Sequence, residues 1–168
     1  MNYISESDIK NIVQKVMQSL SSSNGSSYAP SVPQTSSVSD SDSTVKIIAI
    51  GSDHGGFETK QSLVAALQDR GYEVIDCGAK NYNPDDDYPS FAFKVGEELV
   101  KLLHQNKLAR GILLCRSGAG MNVAANKVNG VRAAETNSIE QAQHARRDND
   151  ANIATIAADW LDIDAVLQ

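Results

Sequence analysis

The chain has little cysteine, few aromatic residues and fewer basic than acidic residues. Its two cysteines, Cys77 and Cys115, lack the spacing of a disulfide framework or a zinc site, so we expect reduced thiols and a cytoplasmic location. With 15 Lys and Arg against 21 Asp and Glu, the net charge is -6, which argues against binding to nucleic acid or to an anionic membrane surface. No apolar run approaches the length of a membrane-spanning helix, and the first residues do not form a secretion signal.

Large apolar residues are almost missing between Ser21 and Thr44, where serine dominates. This composition predicts a disordered linker over residues 21–44. Residues 1–20 differ, because apolar side chains recur there at helical spacing and predict an amphipathic helix of roughly 15 residues. These side chains are Ile9, Ile12, Val13, Val16, Met17 and Leu20. A helix this short is marginal alone in water, so its tethered apolar face predicts docking onto another surface.

From Val45 onward, strand-like apolar runs alternate with helical patterns, which predicts one α/β domain over residues 45–168. Strands that alternate with helices favour a five-stranded parallel sheet covered on both faces, in three layers with right-handed crossovers. The predicted strands are 45–50, 72–77, 112–115, 131–135 and 153–157, and the predicted helices are 57–70, the segment after Pro89, 119–127 and 138–147.

The most informative stretch is an apolar strand that ends at Cys115 and continues through the glycine-rich turn Ser117-Gly118-Ala119-Gly120 into a helix. Open α/β proteins bind their ligands at the carboxyl edge of the sheet, where this strand should end. The N–H groups of the turn suit an anion, and the start of a helix favours the thiolate form of Cys115. A small buried hydrophobe is the alternative role for Cys115 and the expected role of Cys77, which has no such turn beside it.

A second polar turn, Ser52-Asp53-His54-Gly55-Gly56, follows the first predicted strand and should open on the same sheet edge. Asp53 and His54 are expected either to cap the next helix or to contact a ligand. The acidic run Asp85-Asp86-Asp87 lacks the spaced oxygen ligands of a metal site, and we expect it to be a solvated loop.

The Gly118-x-Gly120 element also permits a dinucleotide-binding interpretation. Glu135, at the end of the following predicted strand, would then hold the ribose. Val123 occupies the position of the third glycine, and the motif falls in the middle of the domain, so this alternative has the weaker support.

Six spaced motifs together resemble the family of ribose-5-phosphate isomerase B and the galactose-6-phosphate isomerase subunits. They are Gly51-Ser-Asp-His-Gly-Gly-Phe57, Asp87-Tyr-Pro89, Cys115-x-Ser-Gly-x-Gly120, Ala124-Ala-Asn-Lys127, Gly130-Val-Arg-Ala133 and Asn149-Asp-Ala-Asn152. The resemblance covers about residues 45–158. It implies a Rossmann-like sandwich, a homodimer or tetramer with active sites at the subunit interface, and interconversion of an aldose phosphate and a ketose phosphate without metal or organic cofactor. The expected pair is ribose 5-phosphate and ribulose 5-phosphate.

The resemblance also implies roles for individual residues. Cys115 would be the base near C2 of the sugar, and the backbone from Arg116 through Gly118, Ala119 and Gly120 would form the oxyanion hole of the enediolate. Ser117 matches the hydroxyl residue of the family. Asp53 would contact a sugar hydroxyl or the ring oxygen, His54 would contact the phosphate, and Tyr88 and Asn149 would line the sugar site. The remaining cations for the phosphate would be Arg116, Lys127 and Arg132.

The sequence departs from the family pattern in three places. Asp148 stands where many members have a histidine that helps to open the sugar ring, and a carboxylate can do this work only if its surroundings raise its pKa. Asp159 stands where members often have a phosphate-binding arginine, and it should repel phosphate. The sequence ends at Gln168, ahead of the last helix of the family with its further arginines.

Two functions of different classes follow: an isomerase of phosphorylated sugars, or a non-catalytic sugar-phosphate-binding or scaffold protein that lost the ring-opening and phosphate-holding groups. Residues 1–20 resemble an encapsulation peptide that directs enzymes into bacterial microcompartments. A shell protein is then the expected partner, and the lumen of the compartment the expected location. A coiled-coil or self-association helix is the alternative for this segment.

Overall fold

The computed structural model describes residues 46–160. The predicted helix over residues 1–20, the predicted linker over 21–44 and the last eight residues lie outside the described residues. The described part is built on one five-stranded sheet in the order β2-β1-β3-β5-β4, in which every neighbouring pair is parallel. The strands are β1 (Ile47–Ser52), β2 (Glu73–Asp76), β3 (Ala109–Cys115), β4 (Ala133–Glu135) and β5 (Ile153–Ala157).

Helices connect these strands and cover both faces of the sheet. They are α1 (Phe57–Asp69), α2 (Tyr88–His104), α3 (Ala119–Ala125) and α4 (Ile139–Asn149), with 3₁₀ turns at His54–Gly56 and Ala158–Trp160. Side chains of α2 and α3 share one core cluster with Ala49 and Leu113, whereas side chains of α1 pack with Ile50 and Leu114 on the opposite face. Right-handed crossovers place α4 on the α1 side. The predicted three-layer α/β sandwich is confirmed.

The interior strand β1 is buried along its whole length. Its alternate side chains face the two cores, Ile47 and Ala49 one core, Ile48 and Ile50 the other. A parallel strand covered on both faces needs apolar side chains on both, which explains its unbroken apolar sequence.

The crossovers leave β1 and β3 in opposite directions, although the two strands are neighbours in the sheet. The chain passes from β1 to α1 on one face and from β3 to α3 on the other. Such a change of direction opens a crevice beyond the carboxyl ends of the two strands. The polar turns that follow β1 and β3 both begin there.

The start of β3 differs most from the sequence expectation. β3 begins at Ala109, three residues before the predicted start, because Ala109, Arg110 and Gly111 pair with Ile47–Ala49 of β1. The sequence made no prediction of the strand order, in which β5 lies between β3 and β4 and the fourth strand along the chain is an edge strand.

None of the helices in the described residues is both long enough and apolar enough to cross a bilayer.

Candidate active site

Cys115 is the last residue of β3, and its side chain lies at the carboxyl edge of the sheet, 6% exposed. The backbone N–H of Gly118 donates to the Cys115 Sγ over 3.2 Å, so the turn folds back over the sulfur. Gly118 adopts φ +77°, and a Cβ there would lie 3.2 Å from the backbone N of Ala157. Only glycine meets both demands without strain, because other L-residues rarely adopt this conformation and a Cβ would crowd β5.

The glycine turn directs several backbone amides toward the crevice. The first intrahelical bond of α3 runs from Asn122 N to Gly118 O over 3.0 Å. The N–H groups of Ala119, Gly120 and Met121 precede that bond, so the helix offers them no carbonyl acceptor. This end of the turn can therefore stabilise a negatively charged oxygen beside the sulfur.

The two polar turns touch each other because glycines bring their backbones together. A Cβ at Gly55 would lie 2.7 Å from Arg116 Cγ, and a Cβ at Gly56 would lie 2.8 Å from Leu114 Cβ. A larger residue at either position would push the first turn away from β3. The double glycine after His54 thus serves close packing of the two turns.

Asp53 lies in the first turn and is 7% exposed. Its Oδ1 accepts the N–H of Gly56 over 3.2 Å and so caps the 3₁₀ turn. Burial raises the pKa of Asp53, although the Gly56 amide and the neighbouring His54 act in the opposite direction. Asp53 therefore caps the 3₁₀ turn and also lies at the crevice, so capping and contact with a ligand do not exclude each other.

His54 is held by Asp86, a residue that the sequence analysis placed in a solvated loop. The Oδ1 of Asp86 accepts from the backbone N–H of His54 over 2.9 Å and lies 2.8 Å from His54 Nδ1. The hydrogen bond to Asp86 is the main cause of a raised pKa of His54. The expectation for Asp86 was wrong, and the sequence signal that could have found it is its position two residues before Tyr88, in the loop that leads into α2.

Tyr88 begins α2 and is exposed beside the glycine turn. A Cβ at Gly120 would lie 3.1 Å from Tyr88 Cε2 and Cζ, so the ring lies directly over this glycine. The structure therefore brings together, at one sheet edge, Asp53, His54, Tyr88, Cys115, Arg116, Ser117, Gly118, Ala119 and Gly120.

Arg116 and Asp159 lie close together on the same edge. Arg116 Nη1 is 3.9 Å from Asp159 Oδ2, and Asp159 N donates to Arg116 O over 3.2 Å. Both side chains are exposed, so this ion pair is weak. It nevertheless places the Asp159 carboxylate beside Arg116, one of the cations expected to bind the phosphate.

Arg132, Asp148 and Asn149 lie at the opposite, amino edge of the sheet. Arg132 directly precedes β4, and Asp148 and Asn149 end α4, which returns the chain to the start of β5. The amino edge is marked by Gly111 of β3, whose N–H donates to Asn152 O just after the end of α4. Cys115 lies four residues farther along β3, a separation of roughly 13 Å. Lys127 follows the end of α3 and so belongs to the amino side as well. One chain does not bring these four residues to Cys115.

Asp148 forms ion pairs on the surface of α4. Its carboxylate lies 2.7 Å from Arg147 Nε and 2.9 Å from His144 Nδ1. The hydrogen bond from Arg147, followed by that with His144, lowers the pKa of Asp148. This is the reverse of the raised pKa that proton donation in ring opening requires, so Asp148 is an ionised carboxylate here.

The dinucleotide alternative does not fit the strand order. In dinucleotide-binding folds the ribose-binding carboxylate ends the strand beside the glycine-rich turn. Here β5 separates β3 from β4, which ends at Glu135.

Two other features complete the chemistry of the described residues. Burial raises the pKa of the Cys77 thiol, with the nearby Glu98 and Asp76 adding to the effect, as befits a structural cysteine. No group of three or more His, Cys, Asp or Glu side chains within residues 46–160 is arranged to hold a metal ion.

Curated proteins of similar sequence carry isomerase names. The chain is 44% identical over 109 residues to ribose-5-phosphate isomerase B of Mycolicibacterium paratuberculosis, covering 65% of this chain and 66% of that protein. It is 42% identical over 111 residues to ribose-5-P isomerase B of Listeria innocua, covering 66% of this chain and 72% of that protein. The chain thus spans about two thirds of the length of these relatives.

Solved structures of similar fold also carry the name ribose-5-phosphate isomerase B. Ribose-5-phosphate isomerase B of Clostridium thermocellum matches with a TM-score of 0.64 and 41% identity, over 72% of this chain and 78% of that one. The enzyme of Mycoplasma genitalium, solved with bound ribulose-5-phosphate, matches with a TM-score of 0.65 and 34% identity, again over 72% and 78%. The sequence profile of the Ribose/Galactose Isomerase family matches residues 48–168, most of the chain. The chain therefore belongs to the Ribose/Galactose Isomerase family.

Proposed function

We propose that this protein is an isomerase that interconverts ribose 5-phosphate and ribulose 5-phosphate through an enediolate, with Cys115 as the base. The observation that carries the proposal is the position of the Cys115 sulfur, at the carboxyl edge of the sheet beneath the Gly118 amide. The names of the relatives support the substrate and the reaction class.

The reaction moves a proton between C2 and C1 of the open-chain sugar. The Cys115 thiolate takes the proton from C2 of the aldose, and the carbonyl oxygen at C1 becomes an oxyanion. The amides of Ala119 and Gly120 donate hydrogen bonds to that oxygen, which stabilises the enediolate where negative charge develops. The thiol then returns the proton to C1, which yields the ketose and restores the thiolate. Ser117, exposed beside these amides, supplies a hydroxyl for relaying the proton between the two oxygens.

The remaining residues of the carboxyl edge bind the rest of the sugar. Asp53 accepts a hydrogen bond from a sugar hydroxyl, and Tyr88 covers the sugar from the side of Gly120. His54 supplies positive charge to the phosphate, because the hydrogen bond to Asp86 raises the pKa of the imidazole.

The complete site includes two copies of the chain, in a homodimer or a dimer of dimers. The placement of Arg132, Asp148 and Asn149 at the amino edge supports this proposal, because within one chain they lie far from Cys115. A partner copy can present its amino edge to the carboxyl edge of the first copy, and a two-fold axis then creates two equal sites. Asn149 would line the sugar, and Arg132 would face the phosphate. Asp148 would act in ring opening only where the partner copy displaces its ion pairs with Arg147 and His144 and so raises its pKa.

The experiment combines two variants, one altered at the carboxyl edge of the sheet and one at the amino edge. Cys115→Ala should lower the turnover of ribose 5-phosphate at least about 1000-fold, since it removes the base at the carboxyl edge. Asn149→Ala should also lower the turnover, since it removes a sugar contact from the amino edge. After the two proteins are denatured and refolded together, roughly a quarter of the wild-type activity should return, because half of the random dimers hold one intact site.

Three controls make the result decisive. Circular dichroism of each variant checks the fold, and each variant refolded alone should stay inactive. Full activity of Cys115→Ala would overturn the mechanism. Failure of the mixture to recover activity, with both variants folded and dimeric, would overturn the shared site.

A non-catalytic sugar-phosphate-binding protein is the second candidate, favoured by the pairing of Asp148 with Arg147 and His144. These partners leave no proton on Asp148 to donate in ring opening. Assays in both directions separate the candidates. If only ring opening is lost, open-chain ribulose 5-phosphate should still be converted while ribose 5-phosphate is not. Binding without conversion in either direction would favour the non-catalytic protein.

We further propose that residues 1–20 direct the protein into the lumen of a bacterial microcompartment by binding a shell protein. The support is the helical spacing of apolar residues from Ile9 to Leu20, followed by the serine-rich stretch up to Thr44.

A further inference from the structure

Residues 81–87 form a loop in the connection from β2 to α2, and this loop lies against the first polar turn. Asp86 makes two contacts to His54 through one oxygen, with the backbone N–H over 2.9 Å and with ring Nδ1 over 2.8 Å. The ring of Tyr82, in the same loop, meets the His54 ring edge-on at 6.5 Å between centroids. This loop therefore contacts the backbone N–H, the ring nitrogen Nδ1 and the imidazole ring of His54.

The contact with the carboxylate decides which ring nitrogen carries the proton. An ionised carboxylate only accepts hydrogen bonds, so Nδ1 has to be the protonated nitrogen of a neutral imidazole. Nε2, on the far side of the ring, has no hydrogen-bond partner among the described residues. The side chain of His54 is 26% exposed and that of Asp86 only 10%, so the ring opens to solvent while its anchor stays buried.

The second carboxylate oxygen gives an independent indication. Asp86 Oδ2 is buried and lacks a hydrogen-bond partner among the described residues. A buried carboxylate with one free oxygen is costly unless a positive charge lies beside it. Among the described residues, His54 is the basic side chain in contact with this carboxylate, and it supplies that charge when its imidazole is protonated.

We propose that Asp86 is a positioning residue that keeps the proton of His54 on Nδ1 and leaves Nε2 as the nitrogen that meets the phosphate of the substrate. This inference rests on the proposed function, since it takes a sugar phosphate as the ligand. Asp86 itself does not touch the substrate. It acts by orienting the imidazole and by stabilising its protonated form, in which Nε2 also carries a proton and donates to the anion.

Other charges near His54 act on the same equilibrium. Asp53, in the same turn, favours the imidazolium, and burial of the ring opposes it. Arg116 contacts Gly55, but its guanidinium lies toward Asp159 at 3.9 Å. Tyr82 is uncharged at neutral pH by its chemistry and lies with its ring at right angles to the imidazole. Since the contact with Asp86 is the strongest influence on the raised pKa of His54, its removal should lower that pKa.

Nuclear magnetic resonance of the ¹⁵N-labelled full chain tests the tautomer without any assay of activity. The chain has three histidines, at positions 54, 104 and 144, so the ring signals of His54 can be assigned with a His54→Asn variant. We expect neutral His54 to carry its proton on Nδ1. In Asp86→Asn the titration of His54 should move to lower pH, and the opposite tautomer should appear. The exposed neighbour gives the matched control: Asp85→Asn should leave both unchanged.

Kinetics then test the positioning role. The KM of Asp86→Asn for ribose 5-phosphate should rise about tenfold between the two His54 titration midpoints, with a much smaller change in kcat. At high pH, where His54 is neutral in both proteins, the KM of Asp86→Asn should no longer exceed that of the wild type, because its Nε2 proton can still donate to the phosphate. Ionisation of the phosphate itself, near pH 6, is common to both and cancels in the ratio. Asp85→Asn should keep the wild-type KM.

The outcomes separate this inference from the proposed function. A wild-type His54 protonated on Nε2, or a titration unmoved by Asp86→Asn in a folded protein, would overturn the role of Asp86 even if the isomerase is active. A protein without isomerase activity would overturn the proposed function. In that case, inorganic phosphate replaces the substrate as the probe: weaker binding to Asp86→Asn than to Asp85→Asn supports the inference, and equal binding overturns it. Asp86→Glu serves as the second variant if Asp86→Asn does not fold.

Discussion

Asp53 is a residue whose proposed role in the site opposes the stability of the fold. Its carboxylate is nearly excluded from water, and burial raises the pKa of the group above its ordinary value. A group whose pKa is raised on folding contributes its stability at low pH and loses it as the pH rises through the folded pKa. At neutral pH the ionised Asp53 therefore weighs against the folded state, which suggests that it is needed for binding.

Asp53→Asn should separate the two roles. Asparagine caps as well as aspartate does, so the 3₁₀ turn keeps its hydrogen bond to Gly56 N. We expect the free energy of unfolding at pH 7 to be unchanged or higher by up to ~1 kcal/mol, with the gain lost below about pH 4 where the wild-type carboxyl is protonated. Isomerase activity should fall at least about tenfold. Urea unfolding at both pH values and kinetics check this, and a clear loss of stability at pH 7 would contradict it.

Residue types allowed much of the site to be predicted from the sequence. A thiol followed by a glycine-rich turn after an apolar strand predicted that Cys115 and Gly118 meet at the carboxyl edge of the sheet, and there Gly118 N donates to the Cys115 sulfur. Asp86 was missed because it is one of three consecutive aspartates, and only the path of the loop distinguishes it from Asp85 and Asp87.

At the scale of elements, two glycines with positive φ have different surroundings. Gly71 ends α1 in a Schellman motif, with Tyr72 N donating to Leu67 O over 3.1 Å, and a Cβ there would meet nothing within 4 Å. Gly118 has a similar φ, but a Cβ there would crowd the backbone of Ile156 and Ala157 at 3.2 Å. The first glycine serves conformation alone, and the second serves conformation and packing.

Alanine substitutions should reveal this difference. Gly71→Ala should cost about 1 kcal/mol of unfolding free energy, the penalty for an L-residue with positive φ, and should leave isomerase activity intact. Gly118→Ala should cost more than about 2 kcal/mol, because the turn must also move away from β5, and the amide would leave the Cys115 sulfur. Urea titrations and activity assays of both proteins measure the effects. Equal costs would show that the contact with β5 is unimportant.

The limits of elements were predictable where the sequence has strong end signals. Gly71 ends α1, and Pro89 lies in the first turn of α2, as expected. The early start of β3 was hidden because Arg110 interrupts the apolar pattern while its backbone still pairs with Ile48. The position of β5 between β3 and β4 depends on long-range packing, which local periodicity does not contain.

For the whole molecule, the proposed targeting segment can be tested by removal. Because β1 begins only at Ile47, deletion of residues 1–43 should leave the free energy of unfolding within about 0.5 kcal/mol and preserve isomerase activity. Copurification with microcompartment shell proteins should be lost. A variant with residues 1–20 scrambled, so that composition stays but helical spacing disappears, should behave like the deletion. Equal recovery with shells would contradict the targeting role.

The ends of the sheet restrict how two copies of the domain can associate. The outer strands, β2 and β4, have only four and three residues. Such short borders offer few free backbone groups, so one sheet cannot readily continue into another. Copies of this domain should therefore associate through side chains of helices and loops. Contacts of this kind can place side chains of one copy in the site of the other, and they can also dissociate reversibly.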